Sequence, residues 1–320
     1  MAVSTNLVIP ELLTRVVPAW LKDNFLLYRI GVAGLDFADN IVGNYYRFKQ
    51  WNPLSGNSVV NDGSATGSAT QFAQFEEIGV CNKRFFEVSF SDAEISDAEK
   101  LGPEQFTQLV VGPAYGAYWV KEFHRLITLH LTGLFASGGA LAASHMKEVT
   151  AAISRTAVNQ AKHMLGERNE ELGAMFVHPD VHADIVEEGL VQYLDNISGV
   201  TASGRVPVYL GMVLHQDANL PTSGSGATKT YLSFMMAPKA LQFALNGSVR
   251  VYQQETTNPP KRNLSQSVDF VSHVRGTKYV AATIPPTDAA LAAAASWQKS
   301  HATDANIEVV CLSSYASVNA

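Results

Sequence analysis

The stretch Asn61–Phe75, NDGSATGSATQFAQF, constrains the fold more than any other part of the chain. Its first half is Gly, Ser, Thr and Ala, with too few apolar side chains to offset the entropy of ordering itself. Aromatic residues nevertheless stand on both sides of it. Tyr45, Tyr46, Phe48 and Trp51 come before, and Ile78, Val80, Phe86, Val88 and Phe90 follow at alternate positions. That period of two marks a strand. Residues 45–90 therefore read as a long two-stranded ribbon whose flexible tip is Asn61–Thr70. An isolated two-stranded ribbon is marginal in water, so this one must lie on something.

Composition points the same way. Of 320 residues only 16% are charged and 47% are hydrophobic, against about 25% charged in an average soluble domain. So few charges solvate a large free surface poorly, and neighbours covering much of that surface explain the balance better than unusual compactness. The net charge of -6 argues against a protein whose main task is to grip phosphates through a basic face. Cys81 and Cys311 are far apart and without C-x-x-C spacing, which gives neither a disulfide framework nor a zinc site. Leu126–Ser144 is the one segment apolar enough to test as a membrane span. His130, its Ser and Thr residues and the Gly138-Gly139 pair make it a buried helix followed by a turn instead. The N-terminus lacks the basic and apolar regions of a signal peptide.

Along the chain, Pro10 and Pro18 interrupt the first segment, leaving short helical turns at Glu11–Val17 and Pro18–Leu27. Ser91 or Ser96 can cap a helix, and Pro103 suits a first helical position. Apolar residues then recur at helical spacing from Phe106 to Leu134, with a kink or restart at Gly112-Pro113. A second helix is expected from Leu141 to Leu165, with Met146, Val149, Ile153, Ala157, Ala161 and Met164 as its buried stripe. Gly173–Val177 reads as a buried strand, and Pro179 opens a helix to Leu194. After a β-rich stretch, Thr287 caps a last short helix and Ile307–Leu312 closes as a strand. Strands and helices do not alternate regularly, so the class is α+β.

No catalytic or cofactor site emerges. GSGATKT (Gly224–Thr230) resembles half a phosphate loop, but strands flank it, and a phosphate loop needs a helix N-terminus behind it. His178 and His182 stand four apart with Pro179 between them, so they do not share a helical face. His124, His130, His145 and His163 read as packing or interface residues. The pairs Glu76-Glu77, Glu170-Glu171 and Glu187-Glu188 are sequence neighbours whose side chains diverge. Lys83-Arg84 and Lys261-Arg262 are too little for sequence-specific nucleic-acid binding. The residues point to no enzyme, no cofactor and no metal.

A set of weak motifs in fixed order carries a resemblance. These are MFVHPDVHADIVEEGLV (Met175–Val191), VPVYLGMVLHQDANLP (Val206–Pro221), TYLSFMMAPKAL (Thr230–Leu241) and FVSHVRGTKY (Phe270–Tyr279). PTDAALAAAASW (Pro286–Trp297) and IEVVCL (Ile307–Leu312) complete the set. From about Ala142 onward the chain resembles the major capsid proteins of tailed bacteriophages, with the Hong Kong 97-type fold. It departs from them at Asn306, where a Lys is usual, and in a less Asn-rich lead into the final helix.

The resemblance implies an N-terminal arm (1–44), an extended β-ribbon loop (45–90) and a peripheral domain with a long spine helix (91–171). An axial domain (172–248) and a return to the peripheral domain (249–320) follow. It implies self-assembly into pentamers and hexamers of an icosahedral shell around double-stranded DNA held without sequence specificity. The chain would reside in the virion, assembled in the host cytoplasm, with no membrane. Because the arm begins almost at Met1, a separate scaffolding protein, or none, is expected, together with a portal. Subunit contacts are expected at Leu7, Ile9 and Leu12 of the arm and at Asp62, Phe72 and Phe75 of the ribbon. Thr222 and Lys229 are expected in a loop near the local five- or six-fold axis. A nanocompartment shell of the same fold and a soluble enzyme are the competing readings.

Overall fold

The computed structural model describes residues 8–9, 11–15, 18–19, 25, 27, 30–37, 41–51, 74–195, 205–246, 249–257, 260–301 and 306–317. Strands are numbered in chain order. One sheet holds β1 (Ala33–Phe37), β2 (Ile41–Val42), β3 (Tyr45–Trp51), β4 (Gln74–Ser91), β12 (Leu241–Leu245), β13 (Arg250–Thr257), β14 (Pro260–Val274), β15 (Thr277–Tyr279) and β16 (Trp297–Lys299). The other holds β5 (Met146–Ala152), β6 (Ala174–Val177), β7 (Gln192–Asp195), β8 (Arg205–Tyr209), β9 (Met212–Gln216), β10 (Thr222–Ser223), β11 (Thr230–Met236) and β17 (Val309–Tyr315). The main path of the first runs β1-β12-β14-β4-β15-β16, and that of the second β5-β17-β11-β6-β9-β8-β7.

β4 is the longest strand described, at 18 residues. Its first part pairs antiparallel with β3, from Trp51 opposite Gln74 to Tyr45 opposite Val80. Its second part pairs with β14, from Cys81 opposite Val271 to Ser91 opposite Lys261. The ribbon expected over 45–90 is thus shorter at its base. Residues 81–91 belong to the main sheet, because β14 supplies the hydrogen-bonding partner that a free ribbon would lack. The expected tip, Asn61–Thr70, lies outside the described residues.

The long helix, Gly112–Phe135, follows a π turn at Thr107–Val111. Pro113 sits in its first turn, where a missing N–H costs nothing, which is the restart expected there. Trp119, Phe123, Leu126 and Leu134 repeat at steps of three, four and eight and are fully buried. Phe123 meets Phe270 and Phe243 at ring-centroid distances of 4.3 and 4.5 Å. Two polar anchors fix the helix on β14. Tyr115 Oη donates to the Leu264 carbonyl at 2.6 Å, and Trp119 Nε1 donates to Gln266 Oε1 at 2.8 Å.

The central strands of the second sheet are buried on both faces, and the alternation along β6, β11 and β17 divides them between two cores. Phe176, Phe234, Met236 and Cys311 join the core around the long helix. Met175, Met235, Val310 and Leu312 face a second core with Val158, Leu165, Val181 and Tyr209. Strands buried on both sides read as near-continuous apolar runs, which TYLSFMM and VVCL are.

Three readings change. The single helix expected over 141–165 is instead a short turn (Ala142–His145), then β5, then a helix at Arg155–Lys162 and a 3₁₀ segment, His163–Glu171. Parallel pairing of β5 with β17 outweighs the helical spacing. Ser154 then starts the new helix, its Oγ accepting from the Ala157 N–H at 3.3 Å. The helix from Pro179 ends at Glu187, and Gly189, with φ of 70°, turns the chain into β7. The divisions at 171/172 and 248/249 also fall inside packed units. β5 and residues 155–171 pack with the second sheet, β12 pairs in the first, and β17 returns to the second. The end caps hold more closely. Thr287 Oγ1 accepts from the Ala290 N–H at 3.2 Å. At Ser91 the capping is done by Glu94, which accepts from both the Ser91 N–H and its hydroxyl.

Gly133 shows how tightly the long helix is seated. A Cβ there would stand 2.6 Å from the Leu291 carbonyl oxygen and 2.8 Å from Trp297 Nε1, the pair joined by a 2.7 Å hydrogen bond. Gly133→Ala is expected to destabilise the subunit by about 1–3 kcal/mol through overpacking. Equilibrium denaturation of the isolated chain checks this, and an unchanged midpoint would refute it.

Candidate assembly interface

The root of the N-terminal segment rests on its own chain. The Val8 carbonyl accepts from Gln253 Nε2 at 2.6 Å, and the Ile9 N–H donates to Thr107 Oγ1 at 3.1 Å. The Ile9 carbonyl accepts from the Leu12 and Leu13 N–H groups at 3.1 and 3.2 Å. Ile9 and Leu12 are half-buried and Leu13 is fully buried. Leu7, Asp62 and Phe72 lie outside the described residues. Phe75 is half-buried and meets His301 edge-on at 4.5 Å, so part of its apolar surface is used within the subunit. Thr222 and Lys229 do come together: Thr222 pairs with Tyr231, and the Lys229 ammonium lies 4.8 Å above the Tyr231 ring. Residues 226–228 between them form one 3₁₀ turn before β11, so the segment is a hairpin loop.

What the sequence reading missed is the outward face of β3. Arg47, Lys49 and Trp51 alternate along the strand and are all exposed, Trp51 to 60%. Arg47 reaches Glu76 at 3.5 Å across the ribbon. The opposite face is fastened to the body. Tyr46 and Phe48 stack at 6.5 Å, and Tyr46 packs in a small core with Cys81, Ala244 and Val271. Beside them His273 Nε2 lies 3.3 Å from Glu77 Oε2, both groups buried. Gly79 permits this closeness, since a Cβ there would stand 2.9 Å from Val271. The ribbon therefore leaves the body from a packed root and in a set direction.

A second exposed apolar feature is a groove of ≈ 120 Å³ between β4 and the start of the long helix. Phe86, Val88, Phe90, Val110, Ala114 and Tyr115 line it. Val110 in its lining is 44% exposed, and the adjoining Leu109 is 70% exposed. Glu94 accepts from Ser91 at the end of β4, and Glu104 stands in the first turn of the short helix Pro103–Phe106. Burial and then Glu87 push the Tyr115 hydroxyl far above its usual range. The nearby bases are already paired: Arg262 with Glu255, Lys100 with Asp97, and Arg84 and Arg125 with Asp288.

Among the described residues no group of three or more His, Cys, Asp or Glu side chains could hold a metal ion, and no helix is long and apolar enough to cross a membrane. The features that stand out are surfaces for contact, and comparison with known proteins accounts for them. Residues 37–306 match the model of the major capsid protein 13-like family, Gp13-like. The chain belongs to the Gp13-like major capsid protein family. It is similar to the major capsid protein of Bacillus phage SPP1, 25% identical over 92% of this chain and 93% of that protein. Its fold is that of the capsid of Ralstonia phage GP4, with a TM-score of 0.59 at 13% identity, covering 91% of this chain and 88% of the other. The head structure of Helicobacter pylori bacteriophage KHP40 gives 0.55 at 10% identity, covering 89% and 87%. The architecture is the Hong Kong 97-type capsid fold.

A capsid protein must also hold its shape as conditions change, and two buried histidines bear on that. His130, packed against Trp297 at 4.8 Å, is held neutral by burial, with its pKa lowered to about 3. His215, stacked on Phe176 at 5.5 Å, is lowered by burial to about 4. In the unfolded chain both titrate near pH ~6.5. Between that pH and their folded values the unfolded state binds more protons, so stability falls as pH falls. Each site adds a slope of up to about 1.4 kcal/mol per pH unit. Denaturant midpoints at pH 7 and 4.5 are expected to diverge, and His215→Gln to narrow the gap. An identical gap in the variant would refute the assignment.

Proposed function

We propose that this capsid protein assembles, through its ribbon and N-terminal arm, into pentamers and hexamers that close an icosahedral shell around the double-stranded DNA of a tailed phage. The observation that carries this is the ribbon root: one face is locked into the body while the other, with Arg47, Lys49 and Trp51, is exposed. An exposed face on a strand pair with a packed root is a surface that can take a partner. With family membership established, that partner is another copy. Spreading arm and ribbon contacts over several copies lets interface burial exceed the entropy of ordering them.

A separate scaffolding protein and a portal are the assembly partners that the family resemblance supplies, and assembly takes place in the host cytoplasm. The net charge of -6 fits DNA retained by confinement rather than by a tight grip. Leu7, Asp62 and Phe72 remain proposed contact residues, with Thr222 and Lys229 in the hairpin at the axis.

Expression followed by negative-stain microscopy and sizing tests the reading. Shells or capsomers are expected, alone or with scaffold; a concentration-independent monomer under both conditions would overturn it. Deleting Asp62–Ala69 is expected to leave a folded monomer, with an unchanged denaturation midpoint, that no longer forms capsomers or shells. A deletion that unfolds the monomer would place the segment in the core instead.

A further inference from the structure

We propose that Glu77 and His273 form a one-proton lock, which fastens the ribbon root to the body most tightly in mild acid. Glu77 belongs to the ribbon, where it stands opposite Phe48 of β3, whereas His273 belongs to the body, opposite Gln242 of β12. β4 exchanges β3 for β14 between Val80 and Cys81, so the pair crosses the fork at which those partner strands part. His273 Nε2 lies 3.3 Å from Glu77 Oε2, and both side chains are buried. Gly79 admits the imidazole, since a Cβ there would stand 3.3 Å from His273 Cβ and Cγ. Among the described residues no other ion-pair partner reaches either group.

Burial fixes how many protons the pair holds. With one proton between them, imidazolium faces carboxylate or imidazole faces carboxylic acid, and the net charge is zero either way. Removing that proton buries a net negative charge, and adding a second buries a net positive one; both are costly away from water. The small core beside the pair, Tyr46, Cys81, Ala244 and Val271, is uncharged. Burial raises the Cys81 thiol above its ordinary value, with Asp269 and Lys83 acting on it in opposite senses. His130, on the long helix, is held neutral by burial, and His273 and Arg84 push it the same way. An opened root exposes Glu77 and His273 to water, where they titrate near ordinary values of about 4.3 and 6.5. Above the upper value opening therefore releases a proton, and below the lower value it takes one up. The lock is tightest between them.

Hydrogen exchange of the full-length chain tests this, read by mass spectrometry over residues 45–51 and 74–80 and corrected for the intrinsic pH dependence of exchange. Opening of the root is expected to fall about tenfold from pH 8 to pH 5.5 and to rise again by pH 4. Loss of overall stability through His130 and His215 runs the opposite way over the upper range and shows in the long helix, which serves as the reference. Glu77→Gln keeps the size and a hydrogen bond but leaves a neutral imidazole buried, so opening then takes up a proton below about pH 6.5. In that variant the root is expected to loosen about tenfold from pH 8 to pH 5.5, reversing the sign. A flat or monotonic profile in the unaltered chain overturns the lock, as does a variant that keeps the dip at pH 5.5. If the variant does not fold, the minimum in the unaltered chain decides by itself. These readouts need no assembly, so they stand whether or not shells form.

Discussion

The rest of the structure depends on the continuity of β4. Eighteen residues run without a break from the ribbon into the main sheet, pairing first with β3 and then with β14. A strand that changes partners while keeping its backbone rigid transmits the orientation of the body to the ribbon. Tyr46, Glu77, Gly79 and His273 make the point of change a packed junction rather than a hinge. For a protein whose work is contact with its own copies, direction matters as much as affinity.

The long helix provides the second constraint. It packs on the first sheet through Tyr115, Trp119 and Phe123 and on the second through Phe135, whose ring lies 5.6 Å from Phe234. One element thus serves both sheets. His124 adds a polar tie near its middle, Nε2 standing 2.7 Å from Asp217 Oδ2 at the end of β9. The second sheet has apolar residues on both faces, so it sits between the long helix and the smaller core behind it. The low charge of the chain follows partly from this: two buried faces need many apolar residues and few ionised ones.

Much was legible in the sequence because it rested on local chemistry. The strands either side of Asn61–Phe75, the buried GAMFV strand, Pro103, Pro113 and Thr287 at helix starts, and Ile307–Leu312 as a closing strand all follow from periodicity or capping. The expected helix over 141–165 failed for the opposite reason. Its three- and four-residue spacing is real, but Met146–Ala152 found a better partner in β17, more than 150 residues away. The same distance hid the sheet boundaries and the split role of β4. Phe75, expected at a subunit contact, also meets the His301 ring of its own chain with part of its surface, a contact too distant in sequence to be read from it.

By itself the sequence determined that the chain is α+β and that it carries a segment unable to build its own core. The order of weak motifs pointed to the capsid proteins of tailed phages, and residues 37–306 match the Gp13-like major capsid protein family. Tertiary structure alone decided which strands share a sheet, where the ribbon ends and the body begins, and which aromatics remain exposed. The physical reason is that pairing and burial are long-range. Trp51 and Phe48 look alike in sequence, yet only the folded sheet turns one toward solvent and the other onto Tyr46.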